Sequence, residues 1–396
     1  MAIIPTNTQM DGCRMKRAVM ALSGGMDSTS LLIHLLNQEY FVDCVSFKYG
    51  QKHIIEIEKA SENIIYLKNK GFTVNHEIVD LTSAMSIFHS ALTTDEMEIP
   101  EGHYEEEQMK ATVVPNRNAI FSSIIYGHAL SIVSREKKDV KIALGVHSGD
   151  HAIYPDCRPE FYESLEQSFR IGNWDSEKVE FFLPYIDEDK SSILLDALLC
   201  CDELELDFDT IFSNTITSYN PDSEGRSSGK TGSDIERILA FKEIGRIDPI
   251  DYVESWEIVL ENAISTELKY KDEYYKEKLT DIQYNVTRNS STEYPFSGEL
   301  WDEKRFGKYT CICCGHLLFT SEMKFDSGCG WPSFHSEHDE ASIKQIEDRT
   351  HGMNRVEVKC SKCDAHLGHI FNDGPMKYGG ERYCINSASM GFEERE

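Results

Sequence analysis

The chain has 396 residues, with 40 Lys and Arg against 68 Asp and Glu and a formal net charge of -28, which is enough for two or three domains and excludes a single small module. A hydrophobic content of 40% excludes a disordered chain. The negative charge, with no basic stripe and no apolar run of about 20 residues, argues against nucleic acids and membranes as partners.

The pattern along the chain changes once. After a tail (1–16), residues 17–268 alternate short β-branched runs with segments of helical length, which predicts an α/β, Rossmann-like domain with a parallel sheet. A charged linker helix (269–283) follows, and residues 284–396 have the short runs between turn residues of a mainly β domain. Without a signal-peptide pattern or a disulfide framework, we expect a cytoplasmic protein.

The first motif is a glycine-rich loop within RAVMALSGGMDSTSLLIHLL (17–36), between a predicted strand and a predicted helix. Two glycines let the backbone approach an anion, and the helix offers free N–H groups and its positive dipole end. The candidate phosphate-binding residues are Ser23, Gly24, Gly25, Asp27 and Ser28. Asp27 is suited to hold a Mg2+ ion that bridges phosphate oxygens. An ordinary glycine-rich turn is the alternative.

The loop SGGMDS (23–28) resembles the pyrophosphate loop of the ATP pyrophosphatases, and six further blocks make this domain similar to 7-cyano-7-deazaguanine synthase. The blocks are YGQKH (49–53) with Glu56, VPNRN (114–118), GVHSGD (145–150), YPDCRPEF (154–161), LPYIDEDK (183–190) and IERILAFKEIGRIDPIDY (235–252). The resemblance implies that ATP, bound by the loop, adenylates a 7-carboxy-7-deazaguanine-like carboxylate. Ammonia then displaces AMP, and a second activation yields the nitrile. A homo-oligomer is a further expectation, since many such ligases self-associate.

Four charged residues in these blocks are candidates for binding the base, the carboxylate or the phosphates: Arg117, Asp156, Arg158 and Lys190. An Arg fork suits a carboxylate or phosphate, and an Asp accepts from the N–H edge of a guanine-like ring. A surface ion pair is the alternative for each. Cys157, between two of them, is expected to be packed or to contact ligand.

The chain departs from this family at the zinc site. Members normally carry four zinc cysteines near the end of the domain, and the corresponding positions here are Ser218, Ser228, Thr231 and Asp234. These are poor ligands for Zn2+, so we predict no zinc here and other packing in its place. The product is therefore open: the nitrile, a conjugate with another amine as in zinc-less relatives in phage defence, or nothing from an inactive scaffold. GRSSGKT (225–231) has the wrong glycine spacing for a Walker A loop.

The second domain contains two CxxC pairs, CICC (311–314) and CSKC (360–363). Two such pairs predict a tetrahedral Zn2+ site held by Cys311, Cys314, Cys360 and Cys363. Cys313 is not expected to be a ligand. A redox pair of the thioredoxin type is the alternative.

The second domain is similar throughout to peptide-methionine (R)-S-oxide reductase. The matching blocks are PFSGELW (295–301), KFDSGCGWPSF (324–334), EDRTHGMNRVEVKC (347–360), DAHLGHIFNDGP (364–375) and RYCINSASMGF (382–392). The resemblance implies reduction of methionine-R-sulfoxide in proteins or peptides, with a thioredoxin-like reductant restoring the enzyme.

The same resemblance assigns roles to the remaining residues. Cys384 is the nucleophile, which becomes a sulfenic acid, and Cys329 is the resolving thiol that closes the disulfide. Arg382 lowers the pKa of the nucleophile or holds a developing charge. Asn386 orients a water or the sulfoxide, and Trp331 offers a face to the substrate methyl group.

Two histidines complete the expected reductase site. His366 and His369, three residues apart, are expected to lie on one face beside the sulfoxide oxygen as proton donors. Asp373 is expected to hold one of them in orientation.

Overall fold

The computed structural model describes residues 15–52, 55–94, 97–147, 149, 153–222, 224–338, 343–349 and 355–395. Most of the tail, and parts of the YGQKH and GVHSGD blocks, lie outside the described residues. The chain separates into two compact units, the first ending at Glu267 and the second beginning at Leu268. Within the described residues, no helix combines the length and apolar character that crossing a bilayer requires.

A parallel sheet forms the centre of the first unit. Its strands are β1 (Lys16–Ala21), β2 (Tyr40–Lys48), β3 (Val74–Asp80), β4 (Val140–Ala143) and β5 (Val179–Phe182). They lie in the order β3-β2-β1-β4-β5, and every neighbouring pair is parallel. Parallel strands need crossover connections, which are helical here.

The described residues that connect and follow these strands contain eight α-helices before the long helix α9 (Trp256–Lys278): α1 (Met26–Asn37), α2 (Ile55–Asn69), α3 (Thr82–Met85), α4 (Arg117–Glu136), α5 (Pro159–Gly172), α6 (Lys190–Glu203), α7 (Phe208–Ser213) and α8 (Gly232–Glu243). Side chains alternate along a strand, so β1 directs Met20 into one core with α1 and α6, and Val19 into a second core with α4. This confirms the predicted Rossmann-like α/β fold.

The sheet order reverses at β1, which has β2 on one side and β4 on the other. In open α/β sheets, ligands bind at the carboxyl ends of the strands at such a point. The loops that follow β1 and β4 meet there: a Cβ placed on Gly145 would lie 3.0 Å from the backbone nitrogen of Ser28. The topology therefore puts the glycine-rich loop at the edge where a ligand is expected.

The predicted linker, residues 269–283, consists of the end of α9 (Trp256–Lys278) and the beginning of α10 (Asp281–Asn289). A capping box at Thr280 and Gln283 starts α10. In the second unit, Lys278 donates a hydrogen bond to the carbonyl oxygen of Cys313 at 2.8 Å, and Arg288 donates to that of Cys363 at 2.9 Å.

The second unit contains nine short strands among its described residues: β6 (Gly307–Cys311), β7 (Leu317–Thr320), β8 (Lys324–Phe325), β9 (Ser333–Phe334), β10 (Ile343–Asp348), β11 (Arg355–Cys360), β12 (His366–Phe371), β13 (Arg382–Ile385) and β14 (Met390–Glu394). They form an antiparallel sheet in the order β10-β11-β12-β13-β9-β8 and a smaller sheet β14-β6-β7. Stacked rings of Phe319 and Phe334, 4.1 Å between centroids, lie in the core. The predicted mainly β domain is confirmed.

Candidate functional site

The loop between β1 and α1 brings the five predicted phosphate-binding residues together. The Oγ atoms of Ser23 and Ser28 are 2.9 Å apart. Gly25 is the N-cap of α1 and provides no side-chain cap, so the first N–H groups of the helix face outward toward any bound anion. Gly24 has a φ of 87°, and a Cβ at this position would lie 2.0 Å from the carbonyl oxygen of Glu56. Only glycine fits there.

Asp27 has two different carboxylate oxygens. Oδ1 is buried and has no hydrogen-bond partner among the described residues. Oδ2 lies 3.5 Å from Nζ of Lys190 and 3.8 Å from Nε2 of His147. Lys190 is only 8% exposed and also lies 3.3 Å from Glu236. Lys190 therefore belongs to a buried cluster of charges beside the loop rather than to a surface ion pair.

A cavity of about 210 Å³ opens from this loop. Its lining includes Ser23, Gly25, Asp27, Ser28, Glu56, Arg117, Asn118, Cys157 and Lys190, together with the rings of Phe47, Tyr49, Tyr104, Phe121, Tyr154 and Tyr219. A lining that combines charged and hydroxyl groups with aromatic rings is typical of a site for a planar, anionic ligand. We call this space the first-unit cavity.

Arg117 and Glu56 enter the cavity from two helices. Arg117 is the first residue of α4, and Asn116 before it adopts a left-handed conformation with φ 59°, which asparagine tolerates. The Arg117 guanidinium lies 5.9 Å from the ring centre of Tyr154. Burial raises the pKa of Glu56 to about 7, although Arg117 acts in the opposite direction.

Asp156 and Arg158 do not line the cavity, unlike Arg117 and Lys190. The Asp156 carboxylate accepts a hydrogen bond from the backbone nitrogen of Asn118 at 3.3 Å, and Arg158 is exposed. Cys157 between them is buried, lines the cavity and accepts from the Asn118 amide at 3.3 Å. The structure thus brings two of the four candidate substrate residues to the cavity.

The four positions that correspond to zinc cysteines converge on one carboxylate. Asp234 is fully buried and accepts hydrogen bonds from the hydroxyls of Ser218 (3.1 Å), Ser228 (3.2 Å) and Ser227 (2.6 Å). It also accepts from the backbone nitrogen of Thr231 at 3.2 Å, in a capping box at the start of α8. We call this group the Asp234 cluster. Hydrogen bonds therefore connect these four positions, which are the positions expected to hold zinc cysteines in the family that this domain resembles.

Another group in this unit has ligand-type side chains, His34, Asp196 and Cys200. Nδ1 of His34 already lies 2.9 Å from the Asp196 carboxylate, and the Tyr185 hydroxyl donates to the same oxygen at 2.5 Å. These contacts account for the arrangement as a hydrogen-bonded cluster.

In the second unit, the predicted metal ligands form one compact group of four thiols, Cys311, Cys314, Cys360 and Cys363. Their Sγ atoms all lie within 4.8 Å of one another, with 3.6 Å between Cys311 and Cys363. A tetrahedral ion with Zn–S bonds of about 2.3 Å separates its sulfurs by about 3.8 Å. The group therefore fits Zn2+. Cys313 is not part of it.

The two other cysteines of the second unit form a pair, since Sγ of Cys329 lies 3.7 Å from Sγ of Cys384. Burial and the neighbouring Cys329 raise the pKa of Cys384 to about 12, and the guanidinium of Arg382 offsets only part of this effect. Although burial opposes it, hydrogen bonding with Ser327 and Ser333 lowers the pKa of Cys329. The two neighbouring thiols therefore have pKa values shifted in opposite directions.

His366 and His369 share one face of β12 because of a β-bulge. The pairing with β11 skips Leu367, which is an extra residue between Gly368 and His366. Such a residue changes the alternation of side chains, so two residues three apart face the same way. Their ring centroids are 5.5 Å apart, and His369 lies directly opposite Cys384 on β13.

Each histidine is held by a carboxylate that sequence reasoning missed. Nδ1 of His366 donates to Glu357 at 2.6 Å, and Nε2 of His369 donates to Asp348 at 2.9 Å. Arg355 donates to the same Asp348 oxygen at 2.6 Å. Burial lowers the pKa of His366, although Glu357 acts to raise it. Both carboxylates lie in the block EDRTHGMNRVEVKC (347–360), but the block does not show their partners, because only the pairing of β10, β11 and β12 brings them to the histidines.

Asp373 pairs with Arg382 rather than with a histidine, which corrects the expected role. Its carboxylate accepts two hydrogen bonds from the guanidinium, at 2.7 and 2.9 Å. The reason is the strand register: Arg382 lies opposite Phe371, two residues before Asp373. Asp373 thereby fixes the cation beside Cys384.

Asn386 and Trp331 are both anchored to backbone atoms. The Asn386 amide donates to the carbonyl oxygen of the bulge residue Leu367 at 3.0 Å and accepts from the backbone of Glu293 at 3.1 Å. The Trp331 indole donates to the carbonyl oxygen of Glu293 at 3.1 Å. Glu293, which sequence reasoning missed, also accepts from the backbone of Ser387 at 2.6 Å. The amide of Asn386 therefore supports the bulge that aligns the histidines.

Comparison with known proteins gives two family matches. The family described as "Queuosine biosynthesis protein QueC" matches residues 17–245, and the "SelR domain" matches residues 279–394. The 7-cyano-7-deazaguanine synthase 1 of Colwellia psychrerythraea is 41% identical over 237 residues, 60% of this chain and 99% of that protein. The synthase of Pseudoalteromonas translucida is 40% identical over the same length. The peptide methionine sulfoxide reductase MsrB of Hahella chejuensis is 54% identical over 129 residues, 33% of this chain and 92% of that protein.

Proposed function

The chain belongs to the QueC family over residues 17–245 and to the SelR family over residues 279–394, and from these memberships we propose a bifunctional enzyme. The second unit reduces methionine-R-sulfoxide in proteins or peptides. The first unit uses ATP to adenylate a 7-carboxy-7-deazaguanine-like carboxylate and transfers it to ammonia or another amine. The products are then an amide or the nitrile.

The observation that carries the reductase proposal is the approach of Cys329 to Cys384, beside His369. Cys384 attacks the sulfoxide sulfur while the sulfoxide oxygen takes up a proton. The attack forms a bond between the Cys384 sulfur and the substrate sulfur. The protonated oxygen then transfers from the substrate sulfur to the Cys384 sulfur as the S–S bond breaks, which releases the methionine sulfide and leaves a sulfenic acid on Cys384. Cys329 then attacks the Cys384 sulfur and water leaves, which forms the Cys329–Cys384 disulfide. A thioredoxin-like reductant in a reducing, cytoplasmic compartment returns both thiols.

Three charged groups support the attack. His366 and His369 lie on the same strand face as the nucleophile and are suited to donate the proton to the sulfoxide oxygen. The Asp373 pair aims the Arg382 guanidinium at the developing thiolate. Burial raises the pKa of Cys384, and the Arg382 guanidinium acts in the opposite direction, so it favours the thiolate that attacks.

Zn2+ bound by the four cysteines would cross-link the turns that follow β6 and β11 and would stabilise the fold. The reductive steps run entirely through Cys384, Cys329 and the groups around them.

For the first unit, the carrying observation is the cavity that joins the glycine-rich loop to Arg117 and Lys190. The loop N–H groups and the hydroxyls of Ser23 and Ser28 hold the phosphates of ATP. Lys190 neutralises phosphate charge, and Arg117 binds the substrate carboxylate or base beside the aromatic rings. Holding both reactants in one small cavity keeps water from the reactive acyl adenylate.

The buried, unpartnered Oδ1 of Asp27 fits a Mg2+ ligand that points at the phosphates. Mg2+ bound there would neutralise charge on the phosphate oxygens and help pyrophosphate to leave. Among the residues predicted to bind the substrate, Asp156 and Arg158 keep that role only if ligand binding moves them to the cavity.

The experiment uses the full-length protein with ATP, Mg2+ and 7-carboxy-7-deazaguanine, with or without ammonium, and follows AMP, pyrophosphate and product mass. A nitrile mass supports the ordinary synthase, and an amide or conjugate mass supports a diverged ligase. If AMP is not released under any condition, the ligase proposal fails and the inactive scaffold stands. A Lys190→Ala variant is the control, since it removes a phosphate-binding charge from the same cavity.

A further inference from the structure

Glu56 stands in direct contact with the glycine-rich loop. It lies in the first turn of α2, and its carbonyl oxygen occupies the space that a Cβ on Gly24 would need. Its side chain lines the first-unit cavity, which also holds Arg117 and the phosphate-binding hydroxyls. Glu56 is therefore on the wall between the expected positions of the phosphates and of the substrate carboxylate.

Among the described residues, the Glu56 carboxylate forms no hydrogen bond or ion pair that would give it a structural role. Two titratable groups interact with this carboxylate: Arg117 acts to lower the pKa of Glu56, and Glu56 acts to raise the pKa of Tyr49. Lys52 lines the same cavity but donates to the carbonyl oxygen of Met97 at 2.6 Å. A carboxylate kept free inside a functional cavity is a candidate for proton transfer.

The chemistry of amide formation needs such a group. When an amine attacks the acyl adenylate, a C–N bond forms, the C–O bond to AMP breaks, and the nitrogen must lose a proton. Of the residues that line the cavity, Asp27 and Glu56 are the two carboxylates. Asp27 is committed to Lys190 and to the phosphates. Glu56 is therefore the remaining carboxylate in the lining that could accept the proton from the attacking amine.

We propose that Glu56 is the general base that removes the proton from the attacking amine, a role that rests on the proposed function of the first unit. The carboxylate takes the proton as the C–N bond forms, and AMP leaves as the anion. A base whose pKa is near the working pH transfers protons most effectively, and burial raises the pKa of Glu56 to about 7. Adenylation itself releases no proton to this residue.

The test separates the two half-reactions in the full-length protein. ATP–pyrophosphate exchange with 7-carboxy-7-deazaguanine reports adenylation, and amide formation with ammonium reports aminolysis. We expect Glu56→Gln to keep exchange within about twofold and to lower amide formation by about 100-fold or more. Hydroxylamine, a weakly basic nucleophile that is largely neutral at pH 7, should restore acyl transfer in this variant. Glu58→Gln, an exposed change on the same helix, is the matched control.

The pH profile is the second readout. Amide formation by the unchanged protein, expressed per concentration of neutral ammonia so that the ionisation of ammonium is removed, should rise with pH through about 7 as Glu56 loses its proton, and this rise should be absent in Glu56→Gln. Equal loss of exchange and amide formation, or no loss of either, would overturn the assignment of Glu56. Absence of exchange in the unchanged protein would instead overturn the proposed adenylation and the assignment with it.

Discussion

The Sγ atoms of Cys329 and Cys384 lie 3.7 Å apart although 55 residues separate them in sequence. Cys384 is fixed on β13, whereas Cys329 lies in a loop between two glycines with positive φ, Gly328 (70°) and Gly330 (92°). The pKa is lowered for Cys329, the thiol in the loop, whereas Cys384 on the strand lies opposite His369. We therefore expect replacement of Cys384 and replacement of Cys329 to affect different steps of the reaction.

Cys384→Ser should abolish sulfoxide reduction, because a hydroxyl does not attack the sulfoxide sulfur under these conditions. The measurement is the reduction of a methionine-R-sulfoxide peptide, followed by mass spectrometry with dithiothreitol as reductant. Zinc content should be unchanged, since the four metal-site cysteines remain. Continued turnover by this variant would show that another residue is the nucleophile.

Cys329→Ser should still complete the first half of the reaction, since the nucleophile is intact. We expect about one equivalent of peptide reduced in the absence of added thiol, with a sulfenic acid trapped on Cys384. Turnover driven by thioredoxin should fall strongly, because no disulfide is formed for it to reduce. A full thioredoxin-dependent rate would mean that a different thiol resolves the sulfenic acid.

Glu357→Gln should move the pH dependence of the reductase. The negative charge of Glu357 acts to raise the pKa of His366, so its removal lowers that pKa further. If His366 donates a proton, activity falls as pH rises through its pKa, and this fall should begin about one pH unit lower in the variant. The profile of kcat/KM against pH measures it. Glu393→Gln, on the exposed part of β14, should leave the profile unchanged, and an unmoved profile in Glu357→Gln would remove the proton-donor role.

Local motifs could be predicted from the sequence, whereas contacts made through strand pairing could not. The glycine-rich loop and the CxxC pairs are local patterns whose chemistry follows from spacing, and the structure brings their residues together. Glu357 and Asp348 lie in a block that carries the resemblance, but their role does not follow from it, because they meet the histidines only through strand pairing. The spacing of His366 and His369 would place them on opposite faces of a regular strand, and the bulge at Leu367 is what unites them.

The contacts of Asp373 and of the Asp234 cluster also depend on tertiary structure and could not be read from the spacing of residues. The expected histidine partner of Asp373 was chosen by proximity in sequence, whereas the strand register delivers Arg382. For residues 218 to 234, the sequence predicted packing in place of metal but not its form. The form depends on Ser227, which is not at a zinc position and donates the shortest hydrogen bond to Asp234, 2.6 Å.

Asp234→Asn should destabilise the first unit without changing the metal content. The carboxylate accepts from three hydroxyls and one backbone N–H, and an amide presents donors toward some of them. The expected cost is about 2–4 kcal/mol, or a fall of roughly 5–15 °C in the Tm of this unit. Differential scanning calorimetry and metal analysis of the full chain measure both, with the exposed Asp187→Asn as control. A zinc ion lost with the substitution would contradict the hydrogen-bonded replacement.

Gly24→Ala should abolish ATP-dependent activity while a matched change elsewhere does not. Gly24 has φ 87°, and a Cβ there would meet the carbonyl oxygen of Glu56 at 2.0 Å, so the loop or the start of α2 must move. Gly71 has a similar φ of 93° with nothing within 4 Å of its Cβ position, so Gly71→Ala carries only the backbone strain, about 1–2 kcal/mol. ATP–pyrophosphate exchange and Tm report the two effects. We expect Gly71→Ala to lose only the stability that corresponds to backbone strain and to keep exchange, and Gly24→Ala to lose more stability and to lose exchange. Equal exchange in the two variants would show that the close contact between the loop and Glu56 is not needed to hold ATP.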